Sequence, residues 1–253
     1  MLTVSTRSHP GTVRSINEDA VLWDRDLGLL AVADGMGGHN AGEVASRLAL
    51  EALLVFLRKS AARDDFTWPF GVNPAMSFAG NRMMTAVKVA NRRVFRAAEE
   101  QTEYLGMGTT LVAALTEEAH LVFSSVGDSR IYLQEGAELR QLSRDDSWVA
   151  MLSREKGLDE ATLEKHPMRH VLTNVLGAQS ELDAPVVEVE FAPGQTLVLC
   201  TDGLHGAVPD EVMLSILQSQ ADLERAADAL ILTALERDGR DNITLLLARQ
   251  AAS

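Results

Sequence analysis

The sequence is poor in cysteine and has no long apolar run. Its one cysteine, Cys200, cannot form an intrachain disulfide, which fits a reducing compartment. The N-terminus carries neither the apolar segment nor the small-residue cleavage site of a signal peptide. The most apolar helical stretch, residues 48–57, is interrupted by Glu51 and is too short to cross a bilayer. These absences predict a soluble, cytoplasmic protein that does not bind membranes.

The chain also lacks a basic cluster. The longest candidate is Asn91-Arg92-Arg93, and the net charge is −13 with a pI near 4.9. Because nucleic-acid binding needs a cationic face, we expect no nucleic-acid partner. The excess of carboxylates has two interpretations: it keeps the protein soluble, or some of the carboxylates bind metal ions that neutralise them. No lysine-containing phosphate loop is present, and no G-x-G-x-x-G fingerprint follows a strand.

Apolar periodicity predicts helices and strands that do not alternate regularly. Strands are predicted at residues 29–33, 110–115, 121–126, 131–133, 186–191, 196–200 and 243–247. Helices are predicted at residues 42–58 and 81–99, across residues 223–234, and as two short pieces between residues 145 and 177. This order favours an α+β fold in which sheet packs on sheet with helices outside, formed as a single domain by residues 1–253.

Aspartates recur beside the predicted strands. Asp34, Asp128 and Asp202 each follow an apolar run, Asp241 precedes one, and Asp19 comes shortly before the first run. Each Asp-Gly pair taken alone is more typical of an ordinary turn. Several carboxylates at strand ends facing one cleft would instead make an oxygen-rich site suited to Mg²⁺ or Mn²⁺. The glycines of the segment Asp34-Gly-Met-Gly-Gly-His39 allow close backbone approach, and a carbonyl freed there could bind a metal.

Six motifs in a fixed order carry a family resemblance. They are Arg14-Ser-Ile-Asn-Glu-Asp19, Asp34-Gly-Met-Gly-Gly-His39 with Gly42-Glu43, Gly108-Thr-Thr110, Gly127-Asp-Ser-Arg130, Thr201-Asp-Gly-Leu204 and Asp241-Asn-Ile-Thr244. Together they resemble the metal-dependent protein phosphatase family (PPM, type 2C), bacterial branch. The resemblance implies a four-layer α-β-β-α sandwich of two mainly antiparallel sheets, with a small flap over residues 145–182. It also implies a protein serine/threonine phosphatase that uses two Mn²⁺ or Mg²⁺ ions, with a possible third ion. These ions would activate a water molecule that attacks the phosphate of phosphoserine or phosphothreonine.

The resemblance also implies roles for single residues. The residues expected at the two principal ions are Asp34 as the bridge, the Gly35 carbonyl, Asp202, Asp241, Glu18 and Asp19. Asp128 together with Asp202 would hold the third ion, and Arg14 would grip the substrate phosphate. The proton donor stays open, because Met36 occupies the place of a histidine found in some relatives, and His39 is a weaker candidate. Cys200 is expected in the core and not as a nucleophile.

Two positions in the predicted flap bear on these expectations. Many relatives have a histidine where Asp146 stands, which affects flap behaviour or substrate choice. His166 and His170 are interpreted as ordinary surface or packing residues. The implied partners are phosphoproteins that a bacterial Ser/Thr kinase modifies, and the protein is expected to be a monomer.

Alternatives to this function stay open at this point. One is a pseudophosphatase that binds partners without turnover, and another is a phosphatase of anti-sigma-factor antagonists. The loop Trp68-Pro-Phe-Gly71 resembles phosphatases encoded with type VI secretion systems, which suggests a narrower role in secretion control.

Overall fold

The apolar runs pair into two antiparallel sheets in a computed structural model that describes residues 2–38, 41–61, 67–156, 166–168 and 170–250. The strands are β1 Leu2–His9, β2 Asp19–Asp24, β3 Leu29–Met36, β4 Gly108–Thr109, β5 Leu111–Glu117, β6 His120–Val126, β7 Arg130–Glu135, β8 Glu138–Gln141, β9 Val186–Glu190, β10 Thr196–Cys200 and β11 Ile243–Gln250. The helices are α1 Ala41–Lys59, α2 Phe78–Glu100, α3 Trp148–Lys156, α4 Asp202–His205, α5 Asp210–Ser219 and α6 Leu223–Arg237, with a 3₁₀ turn at Thr102–Tyr104.

The first sheet has the order β1-β11-β10-β7-β8, and the second has the order β2-β3-β5-β6-β9 with β4 beside β3. Side chains from both sheets, among them Leu30, Phe123 and Leu246, fill the space between them. Alternate residues of β3, such as Leu29 and Ala31, instead face α1 and α2. Because β3 is covered on both faces, it is a continuous apolar run and not an alternating one.

A separate apolar cluster covers the outer face of the first sheet. Residues of β10 and β11, such as Val198 and Leu247, pack against Leu230 of α6. The order of layers is therefore helices, sheet, sheet, helices, and the expected α+β sandwich is confirmed. None of the helices that the structure describes is both long and apolar enough to cross a bilayer.

Several expected boundaries were wrong. Strand β3 extends through Asp34 to Met36 and does not stop at residue 33, so Asp34 lies within a strand and not in a turn after it. Asp19 does not precede the first strand: it begins β2, whose residues are mostly half-buried and therefore give a weak apolar pattern. Strands β1 and β8 and helix α5 were also missed. Of the two short helical pieces expected between residues 145 and 177, α3 is present, and residues 157–165 and 169 lie outside the described part of the chain.

Candidate metal centre

The aspartates that the sequence singles out meet at one end of the two sheets. Asp19 begins β2 and Asp34 stands near the end of β3, and these two residues are register partners in adjacent antiparallel strands. Asp128 follows β6, Asp202 follows β10, and Asp241 comes shortly before β11. In antiparallel neighbours the start of one strand lies beside the end of the next. The topology therefore brings all five residues to the same end of the two sheets, which we call the carboxylate edge.

Threonines hold the backbone and side chains of the two central aspartates. The backbone N–H of Asp34 donates to Thr110 Oγ1 at 3.0 Å, and its carbonyl accepts from the Thr110 N–H at 2.8 Å. Thr201 Oγ1 donates to Asp19 Oδ2 at 2.9 Å. The other carboxylate oxygen, Asp19 Oδ1, is buried and has no hydrogen-bond partner of normal geometry within the described residues, although Thr244 lies close enough to lower the pKa of this carboxyl group. A buried acceptor without a donor is costly, so a ligand that contacts this oxygen would stabilise the site.

Burial and mutual repulsion raise the pKa values of these carboxyl groups. Burial, with smaller contributions from Asp202 and Asp241, raises the pKa of Asp19 to about 7. Burial and then the charge of Asp202 raise the pKa of Asp128 to about 7. The pKa of Asp34 lies well above its ordinary value, chiefly because of burial and then because of Asp19, Asp202 and Asp128. Like charges this close disfavour ionisation of the whole group.

Asp34 and Asp202 are in direct contact. Burial and the charge of Asp241 raise the pKa of Asp202, whereas a hydrogen bond with Asp34 opposes that rise. Because carboxyl groups this close cannot all ionise easily, the metal-free site binds protons at pH values where isolated carboxyl groups would be charged.

Glycines after Asp34 and Asp202 allow close backbone packing beside the site. A Cβ on Gly35 would lie 1.9 Å from the carbonyl oxygen of Gly42, and a Cβ on Gly203 would lie 2.0 Å from the carbonyl oxygen of Asn242. Real Cβ atoms do not approach carbonyl oxygens so closely, so only glycine fits either position. The recurring Asp-Gly pair thus reflects packing at strand ends.

A loop before β2 carries Glu18 and Arg14 to the same edge. The Glu18 carboxylate accepts a hydrogen bond from the Gly42 N–H, and burial nevertheless raises its pKa. Arg14 Nη2 donates to Asp241 Oδ2 at 3.0 Å, and Arg14 Nε lies 3.0 Å from Asp241 Oδ1. Both side chains are about half exposed, at 53% and 44%, so this paired contact is weak enough to be exchanged for another partner.

Asn242 fastens this loop to the sheets. Its Nδ2 donates to the carbonyls of Pro10 at 3.0 Å and Ile16 at 2.9 Å, and its Oδ1 accepts from the Glu18 N–H at 2.8 Å. Asn242 is 6% exposed, so these bonds are partly shielded from water. Sequence reasoning gave Asn242 no role, because its partners lie more than 220 positions away in the chain.

Replacing Asn242 by alanine is expected to lower the free energy of unfolding by about 2–4 kcal/mol, because three partly buried backbone groups lose their partner at once. Urea denaturation followed by circular dichroism measures this change. Asn17→Ala is the control: Asn17 Nδ2 donates to Ser8 Oγ at 2.7 Å in an exposed setting, and we expect a loss of about 1 kcal/mol or less. Equal losses in the two variants would contradict the proposed role of Asn242.

The turn that carries Asp128 is held from three sides. Ser129 Oγ lies 2.7 Å from Thr110 Oγ1, the Asp128 carbonyl lies 3.0 Å from His205 Nε2, and the Gly127 N–H donates to Asp146 Oδ2 at 3.3 Å. Burial lowers the pKa of His205 to about 3, so the ring is neutral and donates this hydrogen bond from Nε2. His205 was missed by sequence reasoning, since a lone histidine in a short helix carries no recognisable signal.

These features fit hard divalent cations. The edge provides an orphaned carboxylate oxygen, four aspartates with raised pKa values and a further carboxylate at Asp241. Oxygen ligands in this density suit Mg²⁺ or Mn²⁺, whose charge would relieve the repulsion. Within the described ranges, no three acidic, histidine or cysteine side chains stand close enough together to chelate one ion by themselves. Backbone carbonyls and water would therefore have to complete the coordination of each ion.

The remaining candidates differ in position. His39 lies outside the described residues, and Met36 is 42% exposed at the end of β3. The ring of His166 packs against Trp148 with centroids 4.8 Å apart, which matches its interpretation as a packing residue. His170 is exposed and lies near enough to Asp202 to lower the pKa of that carboxyl group. Cys200 is buried with its pKa raised to about 12 by burial, as expected for a core residue.

Comparisons with known proteins agree with this geometry. A family profile described as "Protein phosphatase 2C" matches residues 12–244. The chain is 35% identical over 251 residues to the serine/threonine phosphatase stp of Listeria monocytogenes, covering 96% of this chain and 94% of that protein.

Two solved structures share the fold. The catalytic domain of the serine/threonine protein phosphatase PstP, in complex with two manganese ions, superposes with a TM-score of 0.83 at 34% identity, covering 99% of both chains. PppA of Pseudomonas aeruginosa, described as a key regulatory component of its type VI secretion system, superposes with a TM-score of 0.79 at 31% identity, covering 98% of this chain and 97% of PppA. The chain belongs to the protein phosphatase 2C family.

Proposed function

We propose that this metal-dependent serine/threonine phosphatase binds two Mn²⁺ or Mg²⁺ ions, with Asp34 between them. Gly35, Asp202, Asp241, Asp19 and Glu18 would complete the two sites, and Asp128 with Asp202 would hold a weaker third ion. The observation that carries the proposal is the convergence of carboxyl groups with raised pKa values around the unpartnered oxygen Asp19 Oδ1. The two manganese ions in the PstP structure support it.

Bound divalent cations supply a water of lowered pKa and neutralise charge that develops on the phosphoryl group. The chain's own residues place and release protons around that chemistry. Carboxyl groups with raised pKa values must lose their protons before they can act as ligands, so metal binding is expected to release protons.

Arg14 would bind the substrate phosphate. In the metal-free protein its guanidinium is paired with Asp241 through two contacts of 3.0 Å. If Asp241 turned to a cation, the planar fork of Arg14 would be free for two charge-assisted bonds to phosphate oxygens. No protein nucleophile is required, and Met36 cannot serve as an acid.

The test uses p-nitrophenyl phosphate, a phosphothreonine peptide and small phosphorylated metabolites, each with Mn²⁺ and with EDTA. We expect hydrolysis that requires the metal and a kcat/KM for the phosphopeptide at least about tenfold above that for the metabolites, because remote contacts add to transition-state binding. Full activity in EDTA would contradict the metal mechanism. Equal rates on metabolites and phosphopeptides would contradict the protein substrate.

We further propose that the enzyme acts in the cytoplasm as a monomer and opposes a Ser/Thr kinase. A role in type VI secretion is supported by the likeness to PppA and by the resemblance of the loop Trp68-Pro-Phe-Gly71 to phosphatases encoded with such systems. A comparison of protein phosphorylation in the source bacterium with and without this enzyme would test the role in secretion. Unchanged phosphorylation of the secretion components would contradict it.

A further inference from the structure

Asp146 has a carboxylate that the proposed metal sites do not use, and it joins two parts of the molecule. Its Oδ2 accepts from the Gly127 N–H at 3.3 Å and from Asn174 Nδ2 at 3.0 Å. Its backbone N–H donates to the Gly127 carbonyl at 2.8 Å, and its carbonyl accepts from the Thr173 N–H at 2.7 Å. One residue therefore connects the turn before Asp128 to the segment that contains Thr173 and Asn174.

These bonds belong to a short ladder that we call the flap base, defined as residues 145–148 and 171–174. Ser147 forms an isolated antiparallel bridge with Leu172, and the Trp148 N–H donates to the Val171 carbonyl at 2.8 Å. The flap base thus has regular strand-like pairing, although neither of its segments forms part of either sheet. Through Asp146 this ladder contacts the turn that follows β6 at the end of the second sheet.

One oxygen of the Asp146 carboxylate accepts both of its side-chain hydrogen bonds. Both the Gly127 N–H and Asn174 Nδ2 end on the same oxygen, Oδ2. Asn174 Nδ2 also reaches the Asp183 carbonyl at 3.3 Å, so it links the ladder to the chain that leads into β9. Because one oxygen takes both bonds, an amide oxygen at position 146 could take them as well.

We propose that Asp146 and Asn174 form a positioning latch that fixes the Gly127–Asp128 turn to the flap base, so that the direction of the Asp128 carboxylate depends on the flap base being in place. The claim that Asp128 then holds the third ion rests on the proposed function. The structural coupling does not, because it can be measured without metal or substrate.

Hydrogen–deuterium exchange of the metal-free protein tests the coupling. Asp146→Ala is expected to raise the exchange rates of the Gly127–Asp128 turn and of residues 171–174 together, by about tenfold, since both segments lose bonds of ordinary strength. Asn174→Ala should affect residues 171–174 and, more weakly, the turn. Asp146→Asn should restore exchange close to the wild-type rate, and Asp183→Ala, which leaves the Asp183 carbonyl in place, should change neither segment.

The positioning role is tested by manganese titration of the active enzyme. In Asp146→Ala we expect the Mn²⁺ concentration for half-maximal activity to rise about fivefold to tenfold, and KM for p-nitrophenyl phosphate to change less than about twofold, because only the site of the weaker ion is disturbed. Asp146→Asn should again behave as the wild type.

The outcomes separate the two claims. Unchanged exchange in both Asp146→Ala and Asn174→Ala would overturn the latch. Raised exchange with an unaltered manganese dependence would overturn the positioning of Asp128. An inactive wild-type enzyme would overturn the proposed function, and the exchange comparison would still decide the latch. If Asp146→Ala does not fold, Asn174→Ala and the double variant Asp146→Asn with Asn174→Ala provide the same comparison.

Discussion

Replacing Asp34 by asparagine is expected to reduce kcat/KM for p-nitrophenyl phosphate by at least about 10³-fold, because the residue proposed between the two cations loses its charge. The backbone of Asp34 is held by Thr109 and Thr110 through bonds that do not involve its side chain. Asparagine has nearly the same shape, so the fold should be retained. Asp202→Asn should cause a similar loss, since Asp202 lies beside Asp34 and is also a proposed metal ligand. Steady-state kinetics over a range of Mn²⁺ concentrations measures both effects.

A loss of activity from unfolding can be distinguished from a loss of metal binding. Removing one of several crowded carboxylates relieves repulsion, so the metal-free Asp34→Asn protein should be at least as stable as the wild type at pH 7.5. The control is Asp26→Asn, which removes the same charge from an exposed loop between β2 and β3, at the opposite end of the sheet. Activity within about threefold of the wild type in Asp34→Asn would contradict the mechanism.

Most of the strands that the sequence predicted are covered on both faces, and the exception is β9, an edge strand with half-buried and exposed residues. Strands β5 and β10 consist almost wholly of buried residues, so their apolar runs were easily found. Strands β1 and β2 contain mostly half-buried residues and polar side chains, and they form the outer strands of the two sheets. Strand β1 pairs with β11 at the far end of the chain, so a local pattern cannot reveal that pairing. Strand β2 pairs with its neighbour β3, but its half-buried residues give no clear apolar run.

The site was predictable only where residue type and spacing carry the chemistry. The aspartates beside strands and the motifs around them located the carboxylates correctly at one edge. The groups that hold them could not be found in this way, because Thr201 meets Asp19 across 182 positions and His205 meets Asp128 across 77. The exchangeable pair of Arg14 and Asp241 likewise depends on tertiary structure, since 227 positions separate the two residues.

The same carboxyl groups should make the metal-free protein less stable as pH rises. Asp19 and Asp128 have pKa values of about 7 in the folded protein, raised from 3.8, mainly by burial. Between about pH 4 and pH 7 the folded protein therefore holds protons that the unfolded chain has released. Where the folded state binds more protons, the free energy of unfolding falls as pH rises. We expect a decrease on the order of 4 kcal/mol between pH 5 and pH 7.5 in EDTA, measured by urea denaturation.

Cations should reverse this dependence, because they bind the ionised carboxylates and stabilise the folded state most where protons have left. Saturating Mn²⁺ should raise the free energy of unfolding strongly at pH 7.5 and little at pH 5. Other ion pairs do not account for such a trend: Arg7 lowers the pKa values of Glu224 and Asp228, so their contribution is lost only as pH falls below about 4. In Asp34→Asn both the fall in stability with pH and the gain from Mn²⁺ should be smaller. Stability in EDTA that rises from pH 5 to pH 7.5 would show that the carboxylates are not crowded in solution, and the metal centre proposed at this edge would lose its main support.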